Sequence, residues 1–108
     1  MTQTSARLML VFAGLLEVAF ALGLKTASGL QRPWILAGTL LVLAGSLGLL
    51  TLALRQLPVG TAYAVWTGIG AVGTALAGVL WMGDSASLGR LACMGLIVGG
   101  VMGLRWLP

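Results

Sequence analysis

The sequence predicts an all-α membrane protein of four short transmembrane helices, and three observations carry that reading. Apolar residues make up 59% of the 108-residue chain and charged residues only 7%, whereas a soluble domain carries about 25% charged residues to solvate its surface. The mean hydropathy is +1.08, so the solvent matching this chain is lipid. Four continuous apolar runs stand between isolated charges, without the every-second-residue alternation of a membrane barrel strand. At this length a single domain over residues 1–108 is expected.

The first run extends from Leu8 to Leu24 between Arg7 and Lys25, and the second from Trp34 to Leu54 between Arg32-Pro33 and Arg55. Pro58 opens the third, Val59 to Met82, and Gly83-Asp84 closes it. The fourth, Leu91 to Leu104, lies between Arg90 and Arg105. The middle two reach the roughly 20 residues that cross about 30 Å of hydrocarbon. The first is near the lower limit. The fourth spans only if its arginines snorkel and Trp106 anchors at the interface. Helices are therefore expected at about 8–25, 34–54, 59–82 and 88–106. The connections are short and carry the breakers Gly29, Pro33, Pro58, Gly83 and Gly89, so neighbouring helices should pack antiparallel.

Several function classes fall away. The net charge of +4 comes from Arg7, Lys25, Arg32, Arg55, Arg90 and Arg105, which mark membrane edges and form no basic tract for nucleic acid. With no histidine and the lone Cys93, neither a metal site nor a cofactor is expected; Cys93 reads as a small packing residue. A cleavable signal peptide is disfavoured because Glu17 interrupts its apolar core and the remainder is equally hydrophobic. The charges split three against three: Arg7, Arg55 and Arg105 on one side, Lys25, Arg32 and Arg90 on the other. Either orientation is set by something else, or copies insert both ways and pair antiparallel.

Glu17 is the only acidic residue inside a run. Placing an ionised side chain at mid-span costs about 2.5–3.5 kcal/mol on insertion scales, so such residues are functional by default. Low dielectric disfavours the charged form of a carboxyl group. A carboxyl that holds either a proton or a cation, never both, is the smallest machinery for exchange. The structural alternative is a protonated Glu17 bonded to a neighbouring helix. Ala13, Gly14, Phe20, Ala21 and Leu24 share its face; Gly14 clears room, and Phe20 offers a ring or simply packs against lipid.

In the third run Tyr63 and Trp66 stand three residues apart and present a hydroxyl and an indole on one face. Aromatic faces stabilise desolvated cations by about 2 kcal/mol, and a Tyr63 hydrogen bond to Glu17 is within reach. Trp66, about eight residues into the run, is too deep for an interfacial belt. Gly68, Gly70 and Gly73 suit a hinge or close helix packing. Ser46 is most simply satisfied by the carbonyl four residues before it, and belongs to the site only if it faces Glu17. Gly95, Gly99 and Gly103 recur every four residues, a small-residue face suited to a second copy.

Gly14-Leu15-Leu16-Glu17-Val18 and the segment from Pro58 to Gly70, within four short helices, together resemble the small multidrug resistance family of bacterial inner-membrane exporters. The resemblance covers nearly the whole chain. It implies a multi-pass inner-membrane protein working as an antiparallel, dual-topology dimer. Thr61, Thr67 and Ala71-Val72-Gly73 are similar to the guanidinium-exporting subtype.

By that resemblance Glu17 is the shared proton and substrate carboxylate in a proton–cation antiporter, not an enzyme. Ser46, Tyr63, Trp66, Phe20 and Gly14 would surround it, Gly68 and Gly70 would flex, and Gly95, Gly99 and Gly103 would hold the dimer. The implied partners are guanidinium or small substituted guanidinyl cations, protons, membrane lipid and a second copy. One departure is Phe20, where the subtype typically has Trp: a ring without an indole N–H. It opens the alternatives of a broader quaternary-ammonium exporter or one half of a heterodimer, though the charge tie favours a homodimer. A non-transporting membrane subunit leaves Glu17 and Trp66 unexplained, and a channel would need more polar lining than one carboxyl per chain.

Overall fold

The computed structural model describes residues 2–28 and 30–106; Gly29 and the Arg105 side chain, used above as a loop breaker and a helix-end charge, lie outside the described residues. The described residues form four helices: α1 (Gln3–Ala27), α2 (Pro33–Ala53), α3 (Val59–Trp81) and α4 (Leu88–Trp106). The chain is an all-α membrane protein, with α1, α2 and α3 long and apolar enough to cross a bilayer and a shorter apolar stretch, Leu88–Leu104, in α4.

Helix ends differ from the ends of the apolar runs because backbone capping, not hydropathy, starts and stops a helix. Thr2 accepts the Ser5 amide at 3.1 Å, so α1 begins five residues before its apolar run. Arg7 interrupts the hydropathy and leaves the helix intact. At the other end Ser28 takes the left-handed conformation (φ 50°) and donates its amide to the Lys25 carbonyl. Pro33 opens α2, where a missing N–H removes no helical bond.

The close of α3 is built by Gly83 at φ +76°, which returns the Asp84 amide to the Gly78 carbonyl at 3.0 Å. Asp84 stays exposed, its Oδ2 tucked against Gly78. Ser87 then caps α4: its side-chain oxygen accepts the Arg90 amide at 3.3 Å. This lengthens α4 to 19 residues, about 28 Å at 1.5 Å per residue, so the run that looked short is close to bilayer thickness.

α1 is the central element. It packs against both α2 and α3, which barely touch each other, while α4 touches α3 alone. Close approach depends on small residues. A side chain on Gly23 would strike Thr39 of α2, and one on Gly73 would lie 2.5 Å from Val18 Cγ2. One on Gly68 would lie 2.6 Å from Val101 Cγ2 of α4. The best-buried cluster, Ala6, Leu10, Ala13, Leu50, Ala53, Ala62 and Trp66, joins α1, α2 and α3 at one end of the molecule.

With extents of 44 × 35 × 16 Å, the chain is a thin slab, little thicker than one helix with its side chains. Leu41 (74% exposed), Leu80 (68%) and Leu96 (76%) show how much apolar surface it offers to lipid or to another chain. On α4 Met94 is the buried residue among those described, and Cys93, expected to pack, is exposed.

Candidate functional site

Glu17 lies midway along α1, half-buried, on the side turned toward α3. Its carboxyl group rests against Gly70: a methyl group placed there would lie 2.5 Å from Cδ and 2.7 Å from each oxygen. Glu17 Oε2 is buried and has no hydrogen-bond partner among the described residues. Gly14, one turn earlier, accommodates Ile69 in the same manner, with a notional side chain 2.7 Å from Ile69 Cγ2. The α1–α3 contact is thus a run of glycine-sized gaps, one holding the carboxyl group.

One turn from Glu17, three helices are tied by a two-step hydrogen-bond chain. The indole N–H of Trp66 donates to Ser46 Oγ at 2.9 Å, and the Ser46 hydroxyl donates to the Ala13 carbonyl at 2.6 Å. Ser46 is therefore satisfied across the helix interface and not by its own helix. Ser46 is wholly buried and Trp66 is 9% exposed, so each partner would lose free energy if left alone. The Ala13 carbonyl is also the one that accepts the Glu17 amide in a regular helix, which joins Ser46 and Trp66 to the backbone that carries the carboxyl.

Tyr63 lies one turn before Trp66, their ring centroids 5.6 Å apart and tilted by 53°. Tyr63 is 57% exposed and leaves Glu17 Oε2 unpartnered, so the anticipated Tyr63–Glu17 bond is not formed within one chain. Phe20 is half-buried on α1, one turn beyond Glu17.

Gly68 and Gly70 lie inside a helix continuous from Val59 to Trp81, each against a neighbouring side chain. Gly95, Gly99 and Gly103 meet nothing within 4 Å. Two apolar clefts of about 540 and 270 Å³ flank Gly68 and Val101 along α3 and α4, and neither is lined by Glu17.

The structure thus brings Glu17, Gly14 and Gly70 together at the α1–α3 contact and Trp66, Ser46 and Tyr63 on an adjoining cluster, and leaves the α4 glycines apart from both. Sequence reasoning passed over the Ala13 carbonyl as an acceptor, because backbone groups carry no sequence signal. It also passed over the contact of Gly70 with Glu17, because the register between helices is not written in either helix.

Comparisons with known proteins agree on one family. A family model described as Small Multidrug Resistance protein matches residues 6–97. A protein of Yersinia pseudotuberculosis serotype I (strain IP32953) named guanidinium exporter is 53% identical over 100 residues, covering 93% of this chain and 96% of its own. One of Salmonella typhimurium (strain LT2) with the same name is 53% identical over 100 residues, covering 91% and 93%. A third so named, from Citrobacter freundii, is 52% identical over 98 residues with the same coverage. With four apolar helices, a lone carboxyl group inside them and a match over nearly its full length, the chain belongs to the small multidrug resistance family.

Proposed function

We propose that this chain is a single four-helix domain that pairs with a second, inverted copy in the bacterial inner membrane and exports guanidinium and small guanidinyl cations in exchange for protons. The observation that carries the reading is Glu17: a carboxyl group inside a transmembrane helix, one oxygen buried and unpartnered. Such a group needs a proton or a cation to be stable in low dielectric. The relatives named guanidinium exporter support the choice of cargo.

Guanidinium is planar and offers N–H donors in a fork that matches a carboxylate edge. Trp66 and Tyr63 supply aromatic faces for a desolvated cation, and the Ser46 bond fixes the plane of the indole. Each Glu17 takes up a proton from outside, the dimer reorients, and the proton leaves inside. A cytoplasmic cation then occupies the vacated carboxylates and is carried out. The two carboxyl groups act as one coupled site, and exchange requires only the rocking of two similar halves. In this reading Gly68 and Gly70 are the hinge of α3, and Gly95, Gly99 and Gly103 are the contact for the second copy, supported by the open space around them in one chain.

The test is proton-coupled current in proteoliposomes with guanidinium, a substituted guanidine and a tetraalkylammonium ion, with Glu17→Gln as control. Current with the guanidines that vanishes in Glu17→Gln is the expected outcome. Exchange that survives Glu17→Gln refutes the mechanism. Equal current with the tetraalkylammonium ion would replace the guanidinium assignment with a broader one, set by Phe20.

A further inference from the structure

We infer that Gly70 is a positioning residue for Glu17: its missing side chain leaves a flat notch on α3 against which the carboxyl group lies by its face, so that α3 itself does not block the in-plane lone pairs that take a proton or a planar cation. The inference rests on the reading of Glu17 as the exchange carboxyl, and concerns how that carboxyl is held.

The geometry identifies the face. The site a Gly70 side chain would occupy is 2.5 Å from Glu17 Cδ and 2.7 Å from both Oε1 and Oε2. An approach along the open edge would bring an oxygen nearer than the carbon. An approach from the aliphatic side would leave both oxygens much farther away than the carbon. Carbon nearest, with both oxygens equidistant and only slightly farther, places that site above the carboxyl plane. The lone pairs that accept hydrogen bonds lie in the plane, so a contact on the face leaves them unobstructed. A bidentate guanidinium requires both oxygens at one edge, so what covers Oε2 in this structure must move aside when the cation binds, while the face stays on α3.

Gly70 differs in this from its neighbours on the same interface. Gly14 and Gly73 make room for the hydrocarbon of Ile69 and Val18, whereas Gly70 meets the titratable group itself. Any side chain there would enter well inside the roughly 3.5–4.0 Å separation of contacting carbon atoms and push the carboxyl off α3. The buried, unpartnered Oε2 would move with it.

Gly73→Ala supplies the control, since its added methyl strikes Val18 Cγ2 at the same 2.5 Å in the same interface without touching the carboxyl. Glu17 is the only glutamate in the chain, so 13C-glutamate labelling reports its carboxyl signal alone. Gly70→Ala should move that signal and lower guanidinium kcat/KM by roughly 100-fold, the loss typical of misplacing a reacting group by about 1 Å. Gly73→Ala should leave the signal in place.

In a Glu17→Asp background, one methylene shorter, adding Gly70→Ala should cost no more than a few-fold, because the carboxyl no longer reaches the notch. An unmoved carboxyl signal, an equal cost in both backgrounds, or failure of Gly70→Ala to fold in both, overturns the inference and makes Gly70 a packing residue like Gly73. These outcomes are separate from Glu17→Gln, which tests the exchange reading itself.

Discussion

The hydroxyl of Ser46 on α2 donates to the carbonyl of Ala13 on α1 at 2.6 Å while accepting the Trp66 indole N–H from α3 at 2.9 Å. One small side chain thereby joins α1, which carries Glu17, to α2 and α3. It uses the one donor of the hydroxyl and one of its two acceptor lone pairs, on a side chain that is wholly buried.

Removing that hydroxyl strands the indole. Ser46→Ala should destabilise the chain by about 1 kcal/mol, the size of an interhelical hydrogen bond within a bilayer. Equilibrium unfolding in mixed micelles measures it. Trp66→Phe, which keeps a ring and gives up the N–H, should cost a similar amount, and the double variant should cost less than the sum of the two.

Protons and guanidinium compete for Glu17 under the proposed mechanism, so the sign of the pH effect is fixed. As pH falls the protonated fraction rises, and the apparent Kd for guanidinium should rise by up to about tenfold per pH unit for each carboxyl that must release a proton. Equilibrium binding across a pH series measures this. A Kd that does not depend on pH would rule out a shared site.

Gly68→Ala places a methyl 2.6 Å from Val101 Cγ2. Among the described residues of one chain α4 touches α3 alone, so within the chain this contact sets its register. The expected cost is about 1–3 kcal/mol from overpacking, read as a lower unfolding midpoint.

Gly99 meets open space in the single chain. Gly99→Leu should therefore leave the helices of one chain undisturbed by circular dichroism. If the α4 glycine face seats the second copy, it should weaken association by at least tenfold, about 1.4 kcal/mol, in energy transfer between labelled copies in liposomes. Unchanged association would remove this face from the dimer contact.

Much of the fold was legible in the chain itself. The apolar runs located four helices, since a continuous apolar run in lipid satisfies its backbone polar groups as a helix; of the charges, Arg32, Arg55 and Asp84 fall in the connections, whereas Arg7, Lys25 and Arg90 lie within helices. Glu17 and Trp66 stood out because polar groups in such runs are costly and few. The start of α1 was less legible: it extends to Gln3, where about residue 8 was expected, because Thr2 caps it, and a cap is a local backbone bond that hydropathy does not record.

The solvent, the number of helices, the one membrane carboxyl and the motif that carries the family resemblance all follow from residue type and order along the chain. It takes the packing of the helices to turn Ser46 away from its own helix to Ala13, to bond Trp66 to Ser46, and to make Gly70, among several interchangeable glycines, the one facing Glu17. Those relations depend on the rotation and register of α1 against α2 and α3. In a chain this apolar, hydrophobic patterning leaves that register open, and the fit of small residues against particular side chains sets it.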